Sequence, residues 1–183
     1  MKSMLDYAAF ERFPDDGRRR EIVGGELYVT PPPTTTHQDA VSAILVAFKE
    51  YAAGSGGWAY AAPVGLFFGP HDVVQSDVTY IGSDRLHIIE QRELRGAPTI
   101  VVEVLSPSTR KTDYGRKRRL YATYGVPEYW IVDPVARVVD VLNAPENDDY
   151  VRSEHFTRGL LRSSAAPGLE LALERVFARP PKA

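Results

Sequence analysis

The sequence predicts an α/β fold, a mixed central β-sheet flanked by helices. Three observations predict it. IVVEVL, residues 100–105, is a short apolar run of the kind shown by a strand buried on both faces. Val41, Ile44, Leu45, Phe48 and Tyr51 keep an i, i+3, i+4, i+7 stripe, which marks a long amphipathic helix. The remaining segments read in the order β-β-α-β-β-β-α-β-β, which one mixed sheet with helices on its faces accommodates.

Taken in order, Met4 to Phe13 forms a short helix, and RREIVGGELYVT forms two strands joined by Gly24 and Gly25, a two-residue turn suited to positive φ. Pro31, Pro32 and Pro33 stop the second strand. Thr36 with Asp39 three residues on resembles a capping box, so the long helix starts there and runs to about Ala53, ended by Gly54, Gly56 and Gly57. Trp58 to Phe68 and Val73 to Ile81 alternate as two strands, with Trp58, Tyr60, Tyr129 and Trp130 read as core or sheet aromatics. A basic, polar stretch from Gly82 to Gly96 leads to the buried strand, Thr99 to Leu105. The turn SPST opens a helix from about Thr112 to Tyr124, stopped by Gly125 with Pro127 beyond. EYWIVDP and ARVVDVLN make a hairpin, Val151 to Arg162 adds one or two strands, and Leu171 to Ala178 forms a closing helix.

The chain has 183 residues, 44% hydrophobic and 25% charged, as expected of one globular domain over residues 1–183 with a core large enough to carry a pocket. A net charge of −2 means that nucleic acid, if bound, meets a local basic patch. Arg110, Lys111, Arg116, Lys117, Arg118 and Arg119 supply one, opposed within that stretch only by Asp113. The absence of cysteine excludes disulfides, thiolate metal ligands and cysteine nucleophiles. With no signal-peptide pattern at the N-terminus and no stretch as long as a membrane span, a cytoplasmic protein is the default expectation.

Glu103 is the single charge in IVVEVL, and a carboxylate buried there needs a partner. At about 100° per residue, Asp113, Lys117, Leu120, Tyr121 and Tyr124 fall in one stripe of the following helix, so Lys117 points inward with the apolar residues. Asp77, in VVQSDVTYI, is a second acid able to join them. Asp77 and Glu103 are hard oxygen ligands suited to magnesium, beside which a lysine can orient water or offset charge on a phosphoryl transition state. The same residues also suit an internal ion pair that fixes the helix to the sheet, and pattern alone leaves both readings open. His37 stands at a helix start, where it either caps in solvent or helps hold a phosphate. Asp113 reads as a first-turn helix acid. Glu26 points either at the site or at water. No G-x-S-x-G, Walker or Rossmann glycine pattern is present.

The stretch VVEVLSPSTRKTDYGRKRRLYATYGVPEYWIVDP closely resembles the signature of the Uma-type family of putative restriction endonucleases, in the PD-(D/E)xK nuclease superfamily. REIVGGELYVTPPPTTTHQDAVSAIL, VVQSDVTYI and PGLELALERVF are similar to its other parts, so the likeness spans nearly the whole chain. It implies a restriction-endonuclease-like core and an endonuclease hydrolysing phosphodiester bonds of DNA, with RNA left open. Asp77 and Glu103 are then the metal acids, for Mg2+ or Mn2+, and Lys117 is the catalytic lysine. The superfamily usually carries the lysine two residues after the acid, where Leu105 stands here, and some members carry it on the next helix instead. Ser76 replaces the usual proline before the aspartate. Glu26 and His37 also match positions of the pattern and are carried as catalytic candidates, with Arg110, Lys111 and Arg116 as nucleic-acid contacts. A homodimer is expected, since cutting two strands with one site each is simplest in a symmetric pair. The alternative is a non-catalytic nucleic-acid or protein binding module that retains the nuclease fold.

Overall fold

The apolar run around Glu103 becomes the strand on which the rest is built. In the computed structural model, which describes residues 4–14 and 16–178, β8 (Ile100–Val104) is buried at all five positions. It pairs in parallel with β9 (Glu128–Asp133) and antiparallel with β6 (Val78–Ile81). Beyond them lie β3 (Trp58–Ala61) on one side, and β10 (Val138–Glu146) and β11 (Asp149–Phe156) on the other. The resulting six-stranded mixed sheet has the order β11-β10-β9-β8-β6-β3.

Alternation along β8 divides the core. Ile100, Val102 and Val104 face α2 (Thr35–Ser55), whose Ile44 and Phe48 are fully buried and whose Phe48 ring meets Trp130 edge-on at 5.2 Å. Val101 and Leu105, with Glu103 between them, face the opposite core. That core is closed by a rod made of α3 (Arg110–Thr112), a π-helical turn (Asp113–Lys117) and α4 (Arg118–Thr123). It is also closed by a second sheet of order β2-β1-β5-β4-β7. This sheet comprises β1 (Arg19–Val23), β2 (Glu26–Thr30), β4 (Gly65–Gly69), β5 (Asp72–Val74) and β7 (Glu93–Arg95). A third, two-stranded sheet pairs β12 (Leu160–Arg162) with β13 (Glu170–Ala172).

The central mixed sheet flanked by helices is as expected, and so is the hairpin turn, where Gly24 and Gly25 take φ of 58° and 73°. Several local expectations are corrected. Among the described residues one sheet is replaced by three, because VVQSDVTYI is two strands in different sheets: β5 ends at Val74 and β6 begins at Val78. At the break the hydroxyl of Ser76 bonds that of Thr79 on β6, a local interaction that competes with ladder pairing. Trp58 to Phe68 is likewise split, at Pro63, which has no N–H to donate to a ladder. Trp58 itself is half exposed, with Lys49 over its ring.

The long helix is capped by Thr34, not Thr36: its hydroxyl accepts from the His37 N–H, and Gly56 closes the helix with φ of 73°. The polar stretch after Ile81 contains a 3-10 turn (Ser83–Ile88) and β7. The closing helix is only α5 (Leu173–Val176), because Glu170–Ala172 pairs with β12 first. The N-terminal helix is likewise short, α1 (Tyr7–Phe10), capped by Asp6. Among the described residues no helix is long and apolar enough to cross a membrane.

Candidate active site

Four elements deliver charged groups to one point between the two sheets. β8 turns Glu103 into the second core, where the residue is 2% exposed. Asp77 stands immediately before β6, the neighbour of β8, and its Oδ2 accepts the Val104 N–H at 2.7 Å. The rod behind them supplies Lys117, and β1 supplies Arg19 and Glu21, which share one strand face with Val23 at its turn end. A π turn carries one more residue per turn than an α turn, so it resets the phase of the rod where Asp113 and Lys117 both become buried.

The contacts are dense. Lys117 Nζ donates to Glu21 Oε1 at 2.8 Å and to Glu103 Oε1 at 2.9 Å. Tyr121 donates to the same Glu103 oxygen at 2.6 Å. Arg19 Nη1 donates to Asp77 Oδ1 at 2.6 Å, its Nη2 donates to the Gln75 carbonyl, and Nη2 also lies 3.7 Å from both Glu21 Oε1 and Glu103 Oε2. His37 Nε2 lies 3.2 Å from Asp77 Oδ2. Gln75 N–H donates to Glu21 Oε1 at 2.7 Å, so the segment crossing between the sheets is tied to the same acid.

Burial acts on these groups with different outcomes. It pushes the Glu103 carboxyl up to about 8; Lys117 offsets part of this, and Asp77, Asp113 and Glu21 add to it. Burial also works against the Asp77 carboxylate, but the His37 and Arg19 contacts outweigh it and hold the group at about 2. Asp113 is raised to about 6, again chiefly by burial. Lys117 is disfavoured by burial yet raised by Glu103, Glu21 and Asp113, so it stays charged. Crowding of acids adds to the effect of burial on Glu103 and is what raises Lys117: Glu21, Asp77, Glu103 and Asp113 are buried around two permanent cations, Arg19 and Lys117.

With all four carboxyls ionised the cluster carries an excess of two negative charges, which a divalent ion would balance; without an ion, the raised Glu103 carboxyl relieves part of it by keeping its proton at neutral pH. Both Asp113 oxygens lack a hydrogen-bond partner; Thr109 favours the charged form without making a bond of normal geometry. Among the described residues no three His, Asp or Glu side chains are already spaced as a preformed ion cage. Magnesium, however, keeps several waters and uses one or two protein carboxylates. Asp77 and Glu103, converging on one point, therefore suit such an ion. Their cleft is about 680 Å³ and includes Pro31, Pro32, His37 and Ser106 in its walls. An ion pair serving only to fix the rod to the sheet would require neither the surplus charge nor the cleft.

The structure thus brings Asp77, Glu103, Lys117 and His37 together, and His37 is buried rather than a solvent-exposed cap. It does not bring Glu26 there. That residue stands at the turn end of the hairpin, where its carboxylate pairs with Arg116 and accepts from the Tyr28 hydroxyl. Glu21, on the facing strand, is the hairpin acid that reaches the cluster. The basic patch is also less free than its local sequence suggests. Arg110 binds Asp133 at 2.6 Å, Arg118 binds Asp149 at 2.5 Å, and Arg116 is held by Glu26 with its guanidinium over the Tyr28 ring. Lys111 is exposed, and with Tyr28, Tyr114, Arg116 and Arg119 it lines a second hollow of about 590 Å³. Sequence reasoning missed Arg19 and Glu21 as site residues; their alternation along RREIV was the available signal.

A family model described as a putative restriction endonuclease, Uma2, matches residues 7–174. The crystal structure of a putative nuclease belonging to DUF820 from Anabaena variabilis superposes with a TM-score of 0.78 at 20% identity, covering 94% of this chain and 97% of that one. No curated protein matches the chain.

Proposed function

The chain belongs to the Uma2 family, described as putative restriction endonucleases, and from that membership we propose that it is a metal-dependent endonuclease that hydrolyses phosphodiester bonds of DNA. The observation that carries the reading is the cleft whose floor holds buried Asp77 and Glu103 beside a charged Lys117, in a cluster of four buried acids around two cations.

Asp77 and Glu103 would hold Mg2+ or Mn2+, which when bound polarises a phosphoryl oxygen and lowers the pKa of a water. Lys117 is kept cationic by Glu21 and Glu103 and offsets the charge that gathers on phosphorus oxygens as the nucleophile adds. Glu21 and Tyr121 orient it: one shares its ammonium, the other fixes the Glu103 oxygen it binds. His37 and the Val104 N–H hold Asp77 Oδ2 in place. The exposed cations Arg110, Lys111 and Arg116 contact the backbone of the nucleic acid outside the cleft, and a symmetric pair of chains would present one site to each strand.

A plasmid-nicking assay in magnesium or manganese tests the reading. Wild type is expected to relax supercoiled DNA only with the ion, and Asp77→Asn, Glu103→Gln and Lys117→Met are expected to lose that activity while remaining folded. Three variants as active as wild type would refute it.

A further inference from the structure

One side chain already occupies the place where the acids converge. The Arg19 guanidinium is 2.6 Å from Asp77 and 3.7 Å from both Glu21 and Glu103, so it touches both acids assigned above to the ion. A guanidinium and a dication cannot both occupy that point, because like charges at this separation repel strongly where water is scarce. Arg19 is also the member of the cluster best placed to leave. Its side chain is 22% exposed, whereas those of Glu21, Asp77, Glu103 and Lys117 are 3% or 4% exposed. It is the first residue of β1, two positions after Gly17, and its Nε has no hydrogen-bond partner. It stands on a wall common to the cleft and an adjoining hollow of about 470 Å³ bordered by Pro33, Gln38 and Gln75, which gives the side chain room to swing outward.

We propose that Arg19 is the resident counter-cation of the metal site, holding Asp77 and Glu103 together until a divalent ion displaces it. The inference rests on the metal-site reading above and adds that the ion must compete with a residue of the chain itself. It follows that free-ion concentration, set against Arg19, decides when the site loads. Arg19 is in this sense a positioning residue that sets metal affinity.

Isothermal titration of manganese into wild type, Arg19→Lys and Arg19→Ala tests it, with Arg19→Ala/Glu103→Gln as the site control. Arg19→Ala is expected to bind at least about tenfold more tightly than wild type, since one competing charge has gone. Arg19→Lys should fall between them, and the control should lose the gain. Equal or weaker affinity in Arg19→Ala, with wild type still binding, overturns the role of Arg19 and leaves the metal site standing. Absence of manganese binding in both wild type and Arg19→Ala overturns both readings. Should Arg19→Ala melt early because its acids have lost a partner, manganese is expected to raise its melting temperature by more than it raises that of wild type. A smaller rise would count against the exchange.

Discussion

Tyr121 donates its phenolic hydrogen to Glu103 Oε1 at 2.6 Å, the same oxygen that receives the Lys117 ammonium, which leaves Glu103 Oε2 facing Arg19. The two oxygens of one carboxylate therefore have separate duties. One is locked to the helical rod and the other is directed toward the convergence of acids. Tyr121→Phe removes only the lock. Its expected cost is about 1–3 kcal/mol, the range for leaving a buried acceptor short of a partner, read as a lower urea midpoint with an unchanged slope. No shift of the midpoint would mean that Tyr121 and Glu103 are not bonded in solution.

Lys117 separates structure from chemistry when its partners are changed with it. Lys117→Met leaves Glu21 and Glu103 facing each other without their shared cation, and breaking a buried pair in this way costs about 3–5 kcal/mol. Adding Glu21→Gln and Glu103→Gln removes the stranded charges, so the triple variant is expected to regain much of the stability lost by Lys117→Met while remaining inactive in nicking. Recovery of nicking along with stability would reduce the cluster to an ion pair that holds the rod.

How much of this was legible in the chain depends on how conspicuous each charge was among its neighbours. Glu103 is the single charge of an apolar run, and Lys117 shares a helical stripe with Leu120 and Tyr121, so both announced themselves. Arg19 and Glu21 did not. They sit in RREIV, where charges fall on both faces of the strand, and only the approach of the second sheet decides which face is buried. The division of VVQSDVTYI between two sheets was hidden for a similar reason: its alternation continues through Gln75 and Ser76, although the chain changes sheets there. The π turn left no local mark, since Asp113 and Lys117 read acceptably on an ordinary helical wheel.

The hairpin offers a contrast between its two acids. Glu26 pairs with Arg116 at the surface, where ion pairs contribute roughly 0–1 kcal/mol, whereas Glu21 accepts from buried Lys117 and from the Gln75 N–H. Glu26→Ala is expected to leave nicking within about twofold of wild type and stability within that small range. Glu21→Ala is expected to depress both. Similar effects from the two substitutions would return Glu26 to the site.

Arg116 tests the surface outside the cleft. Freed of Glu26 by a polyanion, its guanidinium can contact a phosphate, and Arg116→Ala is then expected to weaken DNA binding alike for all sequences and to lower the salt slope of log affinity by about one. Fluorescence anisotropy over a salt series reads both quantities. An unchanged slope would confine nucleic-acid contact to other residues, with exposed Lys111 the next candidate.

Ion binding should also appear as stability, independently of turnover. A ligand that binds only the folded state stabilises it by about 2.7 kcal/mol at a hundred times its dissociation constant, so magnesium or manganese is expected to raise the melting temperature of wild type. Asp77→Asn is the informative variant. Its amide oxygen can still accept the Val104 N–H, so the fold persists, but the negative charge that faces Arg19 is gone. The variant should melt as a cooperative unit with little response to either ion. If it instead gains as much as wild type, the ion stabilises the protein somewhere other than between Asp77 and Glu103, and the surplus charge of the cluster is met by protons alone.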